Sequence, residues 1–193
     1  MIGSQAAIAA GTDTGVTEEE LVMMAAALGH EMARVGGQVV TAESCTGGLL
    51  ARLLTETSGS SQWFERGFVS YSNAAKTDLL GVQSATLNAH GAVSEAVARE
   101  MAAGALARSP ASLSLAVTGI AGPGGAVEGK PVGTVCFGWA LSLPGGDPQP
   151  LIVSEQQHFR GDRAAVRRQS AAHALLQAAR LLHQRLQEQP PVA

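Results

Sequence analysis

The spacing of apolar residues predicts three long helices. In the first, apolar side chains recur at helical spacing, and the residues concerned are Leu21, Met24, Leu28, Met32 and Val35. Thr17-Glu18-Glu19-Glu20 has the form of a capping box ahead of that helix. A second helix is expected from Ser94, as its cap, to about Ser109. The third opens at Gly161-Asp162, with Asp162 as its cap, and carries leucines on one face.

Shorter apolar runs between the helices predict strands, and they lie at 38–40, 67–71, 113–117, 131–141 and 151–159. Helices and strands alternate first, and the last two strands form a hairpin across the turn at 144–148. This order predicts an α/β fold: a single three-layer domain in which helices cover both faces of a mixed β-sheet. We expect a disordered leader over 1–16, the domain over 17–188 and a flexible tail over 189–193.

Composition and charge disfavour two classes of protein, those that bind nucleic acids and those that span a membrane. The chain has 193 residues, 46% of them hydrophobic, and a net charge of −3. It has no long basic run, which disfavours nucleic-acid binding, and no apolar run long enough for a membrane span. The start lacks the basic region of a signal peptide, so we expect a cytoplasmic protein. The apolar faces of the first and last helices are compatible with a homo-oligomer.

The two cysteines, Cys45 and Cys136, are far apart and follow no ligand or disulfide pattern. No His-Glu-x-x-His pair is present either. The sequence therefore predicts neither a disulfide framework nor a metal site.

The stretch Thr41–Gly48 is the main candidate for chemistry. It leads from a predicted strand to a predicted helix, so the hydroxyls of Ser44 and Thr46 lie on a turn. Free backbone N–H groups and the positive end of a helix dipole are expected there, and Gly47 allows a ligand to come close. Such a hydroxyl can attack an electrophile or bind an anion. The alternative is that Ser44 or Thr46 only caps the helix.

Three loops with unusual residues follow predicted strands: 43–48, 71–76 and 118–125. In an open α/β sheet, loops at the carboxyl ends of strands form the ligand crevice. The sequence therefore predicts one composite site built from these loops.

Lys76 is a candidate general base. A lysine can take that role when burial or a nearby cation lowers its pKa from about 10.4 toward neutrality. Only Lys76 and Lys130 are lysines in this chain, which favours a special task for Lys76. The alternative is a solvated lysine on a helix.

A cluster of arginines surrounds the start of the last helix: Arg160, Arg163, Arg167 and Arg168. Such a cluster can hold a phosphate. The alternative is a charged helix face paired with acidic residues.

With these residues assembled, the chain resembles the CinA C-terminal domain family, including its stand-alone nicotinamide-nucleotide amidohydrolases, over about 18–188. Eight segments carry the resemblance: Thr41-Ala-Glu-Ser-Cys-Thr-Gly-Gly48, Gly59-Ser-Ser-Gln-Trp-Phe64, Gly67-Phe-Val-Ser-Tyr-Ser-Asn-Ala-Ala-Lys76, Leu80-Gly-Val82, His90-Gly-Ala-Val-Ser-Glu95, Thr118-Gly-Ile-Ala-Gly-Pro-Gly-Gly125, Lys130-Pro-Val-Gly-Thr134 and Gly161-Asp-Arg163. The resemblance implies hydrolysis of the carboxamide of nicotinamide mononucleotide to nicotinic acid mononucleotide and ammonia, without metal or other cofactor.

The resemblance also implies residue roles. Ser44 would be the nucleophile and Lys76 its base, with Cys45 as a rival nucleophile that a turn should point elsewhere. The residues expected to orient the dyad or contact the substrate are Thr46, Gly47, Tyr71, Asn73, Thr118, Gly119, Ala121, Gly122 and Arg163. The alternative from another class is a nucleotide-binding or protein-interaction module that keeps the fold without catalysis.

Overall fold

The computed structural model describes residues 15–146 and 149–188. Most of the expected leader and the whole expected tail, 189–193, lie outside the described residues. The helices are α1 (Glu18–Arg34), α2 (Leu49–Thr55), α3 (Asn73–Leu80), α4 (Ser84–His90), α5 (Glu95–Ala107) and α6 (Arg163–Glu188), and a 3-10 turn spans Ser60–Gln62. The strands are β1 (Val39–Glu43), β2 (Phe64–Val69), β3 (Leu113–Gly119), β4 (Thr134–Leu141) and β5 (Leu151–His158).

The strands form one open, mixed sheet in the order β2-β1-β3-β4-β5. Strands β2, β1 and β3 run parallel to one another, and β4 and β5 continue as antiparallel neighbours. The predicted α/β class, the mixed sheet and the late hairpin are confirmed.

Helices cover both faces of the sheet because the strand side chains alternate between two apolar clusters. Val39 and Leu115 point to the cluster formed with α1, α2 and α6. Val40 and Ala116 point to the opposite cluster, formed mainly with α5 and the end of α3. These two clusters give the three layers that the sequence predicted.

Small residues allow α5 to lie close to the sheet. A Cβ on Gly138 of β4 would stand 2.2 Å from the carbonyl oxygen of Ala98 on α5. Any larger residue at this position would therefore push the helix away from the strand.

Local signals predicted some element boundaries and missed others. The capping box of α1 is present, with Thr17 Oγ1 accepting from the Glu20 amide at 3.2 Å. Helix α4 was not predicted, because it is short, buries no residue and has no side-chain cap. Strand β4 begins at Thr134 rather than at Pro131.

The carboxyl ends of the three parallel strands lie side by side. Glu43 at the end of β1 is opposite Val69 of β2 and Val117 of β3. The loops that follow these strands therefore emerge at one edge of the sheet. Over the part of the chain that the structure describes, no helix combines the length and apolar character needed to cross a bilayer.

Candidate active site

A cavity of about 220 Å³ lies at this edge of the sheet. Its lining comes from all three predicted loops, from the segment ahead of α5 and from the start of α6. The lining residues are Ser44, Cys45, Tyr71, Asn73, Lys76, Ala92, Val93, Thr118, Gly119, Ala121 and Arg163. The three loops thus line one cavity, as the sequence predicted.

Lys76 and Ser44 are in direct contact in this cavity. Lys76 Nζ lies 3.0 Å from Ser44 Oγ. Helix α3 presents the lysine, and its N-terminus is capped by Ser72 Oγ, which accepts from the Ala75 amide at 3.0 Å. The Lys76 side chain is only 1% exposed, so the alternative of a solvated helix lysine is wrong.

Burial lowers the pKa of Lys76, while the nearby Cys45 acts in the opposite direction. The ammonium form loses hydration in this position, and no carboxylate within the described ranges forms an ion pair with Nζ. The neighbours of Nζ are instead the Ser44 hydroxyl and the carbonyls of Ser70, at 3.0 Å, and Tyr71, at 3.5 Å. A neutral amine can donate to the carbonyls and turn its lone pair toward Ser44.

Neither Ser44 nor Thr46, the two hydroxyl residues that the sequence offered as caps, is the N-cap of α2. The N-cap of α2 is Gly48, which has φ of 93° and makes no side-chain cap bond. The orphan amides of α2 go to the Glu43 carboxylate, which accepts from the amides of Gly48, Leu50 and Ala51. The alternative that Ser44 or Thr46 caps the helix is therefore wrong.

The expectation that the α2 amides are free for a ligand is also wrong. Glu43 accepts from two of them, Leu50 and Ala51, and from the N-cap amide of Gly48. The Leu49 amide donates to the Thr46 carbonyl, and the Ser44 amide donates to the Val117 carbonyl at 2.9 Å. Within the described residues, the turn amides that donate to no backbone oxygen are those of Cys45 and Thr46, and the Cys45 amide faces its own thiol. Donors for a developing negative charge are thus to be sought in the turn itself, ahead of the helix.

Cys45 lines the cavity beside Ser44 but is poorly suited to attack. Burial raises the pKa of its thiol to about 12, and the Glu43 charge adds to this. Lys76, Arg167 and a backbone hydrogen bond lower this pKa only in part. With this raised pKa, Cys45 stays a thiol at neutral pH. The nucleophilic form is the thiolate.

The structure brings six of the nine expected contact residues to the cavity. These six are Tyr71, Asn73, Thr118, Gly119, Ala121 and Arg163. In contrast to the sequence-based expectation, Thr46, Gly47 and Gly122 do not contribute to the lining. Thr46 is fully buried, with its hydroxyl oxygen lacking a partner among the described residues, and Gly122 offers its carbonyl to Arg163.

Two arginines of α6 reach the site. Arg163 Nη1 donates to the Gly122 carbonyl at 3.0 Å, and Nη2 donates to Tyr71 Oη at 3.3 Å. Arg167 donates from Nε and Nη2 to the Thr46 carbonyl. Arg163 therefore forms part of the cavity wall, whereas Arg167 ties the turn that carries Ser44 to α6.

Three residues of this region were not predicted from the sequence. Ala92 and Val93 line the cavity, and their signals were their position just ahead of the Ser94 cap and their place in the segment His90–Glu95 that carries the family resemblance. Glu43 was missed as the cap of α2, although an acidic residue directly before the turn is the kind of group that a helix N-terminus attracts.

The described residues contain no group of three or more His, Cys, Asp and Glu side chains that could hold a metal ion. A larger apolar groove, of about 320 Å³, lies between α1 and α6. Met24, Leu175, Leu176 and Leu186 contribute to its walls. Glu31 and His183 also line this groove, but none of the site residues predicted from the sequence does.

The fold is an open α/β sheet with a cavity at the carboxyl ends of its parallel strands. A sequence profile of the CinA C-terminal domain matches residues 21–182. The chain belongs to this family. It is 48% identical over 160 residues to the nicotinamide-nucleotide amidohydrolase PncC of Escherichia coli K12, a match that covers 83% of this chain and 93% of that protein. The enzyme of the same name from Pseudomonas putida is 46% identical over 157 residues, covering 81% and 94%.

A solved structure shows the same fold. The competence/damage inducible protein CihA from Agrobacterium tumefaciens superposes with a TM-score of 0.78 at 40% sequence identity, covering 84% of this chain and 95% of that one.

Proposed function

We propose that this protein hydrolyses the carboxamide of nicotinamide mononucleotide to nicotinic acid mononucleotide and ammonia, as a step of pyridine nucleotide recycling. Ser44 is the nucleophile and Lys76 is its general base. The observation that carries the mechanism is the 3.0 Å contact between Lys76 Nζ and Ser44 Oγ inside a lined cavity. The substrate is supported by the names of relatives that match most of the chain.

In the first half-reaction, neutral Lys76 takes the proton of the Ser44 hydroxyl while Oγ attacks the carboxamide carbon. A tetrahedral oxyanion forms. The C–N bond then breaks, Lys76 returns its proton to the departing nitrogen, and ammonia leaves an acyl ester on Ser44. Burial of Lys76 supports this role because it favours the neutral amine before attack.

In the second half-reaction, Lys76 takes a proton from water, and the resulting hydroxide attacks the acyl ester. The bond from carbon to Ser44 Oγ breaks, and Oγ recovers its proton from Lys76. The products are the free carboxylic acid and the unchanged Ser44 and Lys76. One base thus serves both halves, as microscopic reversibility requires.

The oxyanion requires donors that are free before substrate arrives. Cys45 lines the cavity, and its amide donates to no backbone oxygen within the described residues and faces only its own thiol. We assign this amide to the oxyanion, where one well-placed donor lowers the barrier by about 3 kcal/mol. The loop from Thr118 to Ala121 is the second source of donors.

The shape and charge of the cavity suit one end of a mononucleotide. Its volume of about 220 Å³ is below the roughly 300 Å³ at which ligand pockets for larger molecules begin. The carboxamide-bearing ring therefore enters, and the sugar phosphate extends toward the mouth. No lining residue is acidic, and Arg163 adds a cation, which suits a phosphate.

The test is ammonia release from nicotinamide mononucleotide in the presence of a chelator, for the wild type and for Ser44→Ala. We expect activity in the wild type and a loss of at least about a thousandfold in the variant. Ser44→Cys is an informative companion, because it keeps a nucleophile of similar size beside Lys76.

Near-normal activity in Ser44→Ala would reject the nucleophile assignment. A folded wild type that binds nicotinamide mononucleotide but releases no ammonia would favour the non-catalytic binding module. The cytoplasmic location and the homo-oligomer stay predictions, and the apolar groove between α1 and α6 is the surface on which to look for the latter.

A further inference from the structure

We propose that Glu43 is a positioning residue for the reaction: its carboxylate ties the N-terminus of α2 to the end of β1 and so holds Ser44 Oγ against Lys76. This inference rests on the proposed function in one respect, the role of Ser44 as nucleophile. It does not depend on the identity of the amide substrate.

Glu43 is a fully buried acid that no step of the mechanism uses. It is 0% exposed and immediately precedes Ser44. Its Oε2 accepts from the Gly48 amide at 3.0 Å and the Leu50 amide at 3.1 Å, and its Oε1 accepts from the Ala51 amide at 2.9 Å. Thr41 Oγ1 donates to Oε1 at 3.3 Å. An ionised carboxylate is the form that only accepts, which matches four donors.

This arrangement closes the nucleophile turn into a ring. The turn leaves β1 after Glu43 and enters α2 at Leu49, and the carboxylate joins these two ends across it. The ring also has external supports: the Ser44 amide donates to Val117, and Arg167 donates to the Thr46 carbonyl. Ser44 therefore has little freedom to move away from the cavity.

The main chain of Glu43 also reaches the other member of the dyad. Its carbonyl accepts from the Ser70 amide at 2.8 Å, and the Ser70 carbonyl accepts from Lys76 Nζ at 3.0 Å. One residue thus holds the Ser44 turn through its side chain and the Lys76 acceptor through its backbone. A shift of about 1 Å between reacting groups can cost about a hundredfold in rate.

Glu43→Gln changes this contact at constant side-chain volume. A glutamine oxygen can still accept from Gly48 and Leu50. The amide nitrogen then faces the Ala51 N–H, so that two donors oppose each other and the ring opens on one side. We expect kcat for nicotinamide mononucleotide to fall about a hundredfold, with KM changed by less than about threefold because Glu43 does not line the cavity.

Two controls separate positioning from general stability. Glu20→Gln alters the corresponding acid of the α1 capping box, which is remote from the cavity lining, and should leave kcat within about twofold. Leu182→Ala truncates a buried core residue of α6 and lowers the Tm without touching the turn. Comparable loss of kcat in Leu182→Ala, at matched Tm, would show that Glu43 acts only through stability.

A second readout avoids the substrate. A fluorophosphonate forms an ester with Ser44 Oγ and releases fluoride, so its labelling rate reports how well Ser44 is placed and activated. We expect Glu43→Gln to label at least tenfold more slowly than the wild type, and hydrogen exchange at Ala51 to be faster in the variant.

Slowed labelling in Glu43→Gln with a wild type inactive on nicotinamide mononucleotide would keep the positioning role and reject only the substrate. Equal labelling rates and equal kcat in variant and wild type would overturn the positioning role. A wild type that neither labels nor turns over would remove Ser44 as nucleophile, and this inference with it.

Discussion

The two lysines of this chain show how position decides the chemistry of one residue type. Lys76 is 1% exposed, and its amine is hydrogen-bonded to the Ser44 hydroxyl at 3.0 Å. Lys130 is half-buried in the glycine-rich loop between β3 and β4, and its Nζ donates to the His90 carbonyl at 2.8 Å.

The difference lies in solvation and not in the side chain. Lys76 has exchanged water for a hydroxyl and two carbonyls, and burial lowers its pKa. Lys130 keeps more contact with solvent than Lys76 does. Only the first environment suits the general base that we propose.

The largest expected effect is the loss of that base. Lys76→Met should lower kcat about a thousandfold or more, because general base catalysis and proton return to ammonia are both removed. Lys130→Met, the matched control, should change kcat less than about twofold. The measurement is ammonia release from nicotinamide mononucleotide. Similar losses in both variants would contradict the assignment of Lys76 as the base.

The pH dependence of kcat/KM should also report the titration of Lys76. Lys76 acts as a base only when it is neutral, so activity falls as pH drops through its pKa. We expect kcat/KM to rise about tenfold per pH unit on the acid side and to level off below the ordinary lysine value of about 10.4.

Lys130→Met should leave the midpoint of this profile unchanged. A profile that still rises at pH 10.4 and above would show that burial does not lower the pKa of Lys76.

Arg163 is a third cation to compare with the two lysines, because it lines the cavity but does not contact Ser44. Arg163→Ala should raise KM for nicotinamide mononucleotide about tenfold and change kcat by less than about threefold, as expected for a phosphate contact. Nicotinamide riboside, which lacks the phosphate, is the control substrate. Equal effects on both substrates would assign Arg163 to the cavity wall alone.

The smallest expected effect concerns stability. The folded-state pKa of Lys76 lies below its unfolded value. At a pH below the folded-state pKa, the folded protein therefore carries a buried ammonium group, which lowers its stability. Stability therefore rises as pH increases from the folded pKa toward the unfolded one. Lys76→Met lacks this cost and should raise the Tm at neutral or lower pH by roughly 2–4 °C.

The gain in Tm should shrink as pH approaches 10, whereas Lys130→Met should show no such trend. A variant destabilised at every pH would mean that the hydrogen bonds of Lys76 to Ser70 and Tyr71 outweigh its desolvation.

Local sequence signals predicted much of the fold. The Thr17–Glu20 capping box, the Ser94 cap and the Asp162 cap all occur, because each depends on residues within one turn of the chain. Helix α4 was missed because it has neither a side-chain cap nor a buried face.

The site was predictable in its loops and less so in its details. Three loops that follow parallel strands must meet at one edge, which is why Ser44 and Lys76 were placed together. Thr46 was expected at the substrate, yet the turn directs it inward. Glu43 was not considered, because its partners lie five to eight residues along the chain.

By itself, the sequence determined the order of elements, the α/β class and the residue types available for chemistry, since these follow from periodicity and motifs along the chain. Only the tertiary structure decided how those residues are placed and what surrounds them. Packing of α3 under the sheet edge excludes water from Lys76, and the Glu43 carboxylate takes the α2 amides before any ligand can. Both outcomes depend on burial and on contacts between separate elements, and neither is a property of the residues themselves.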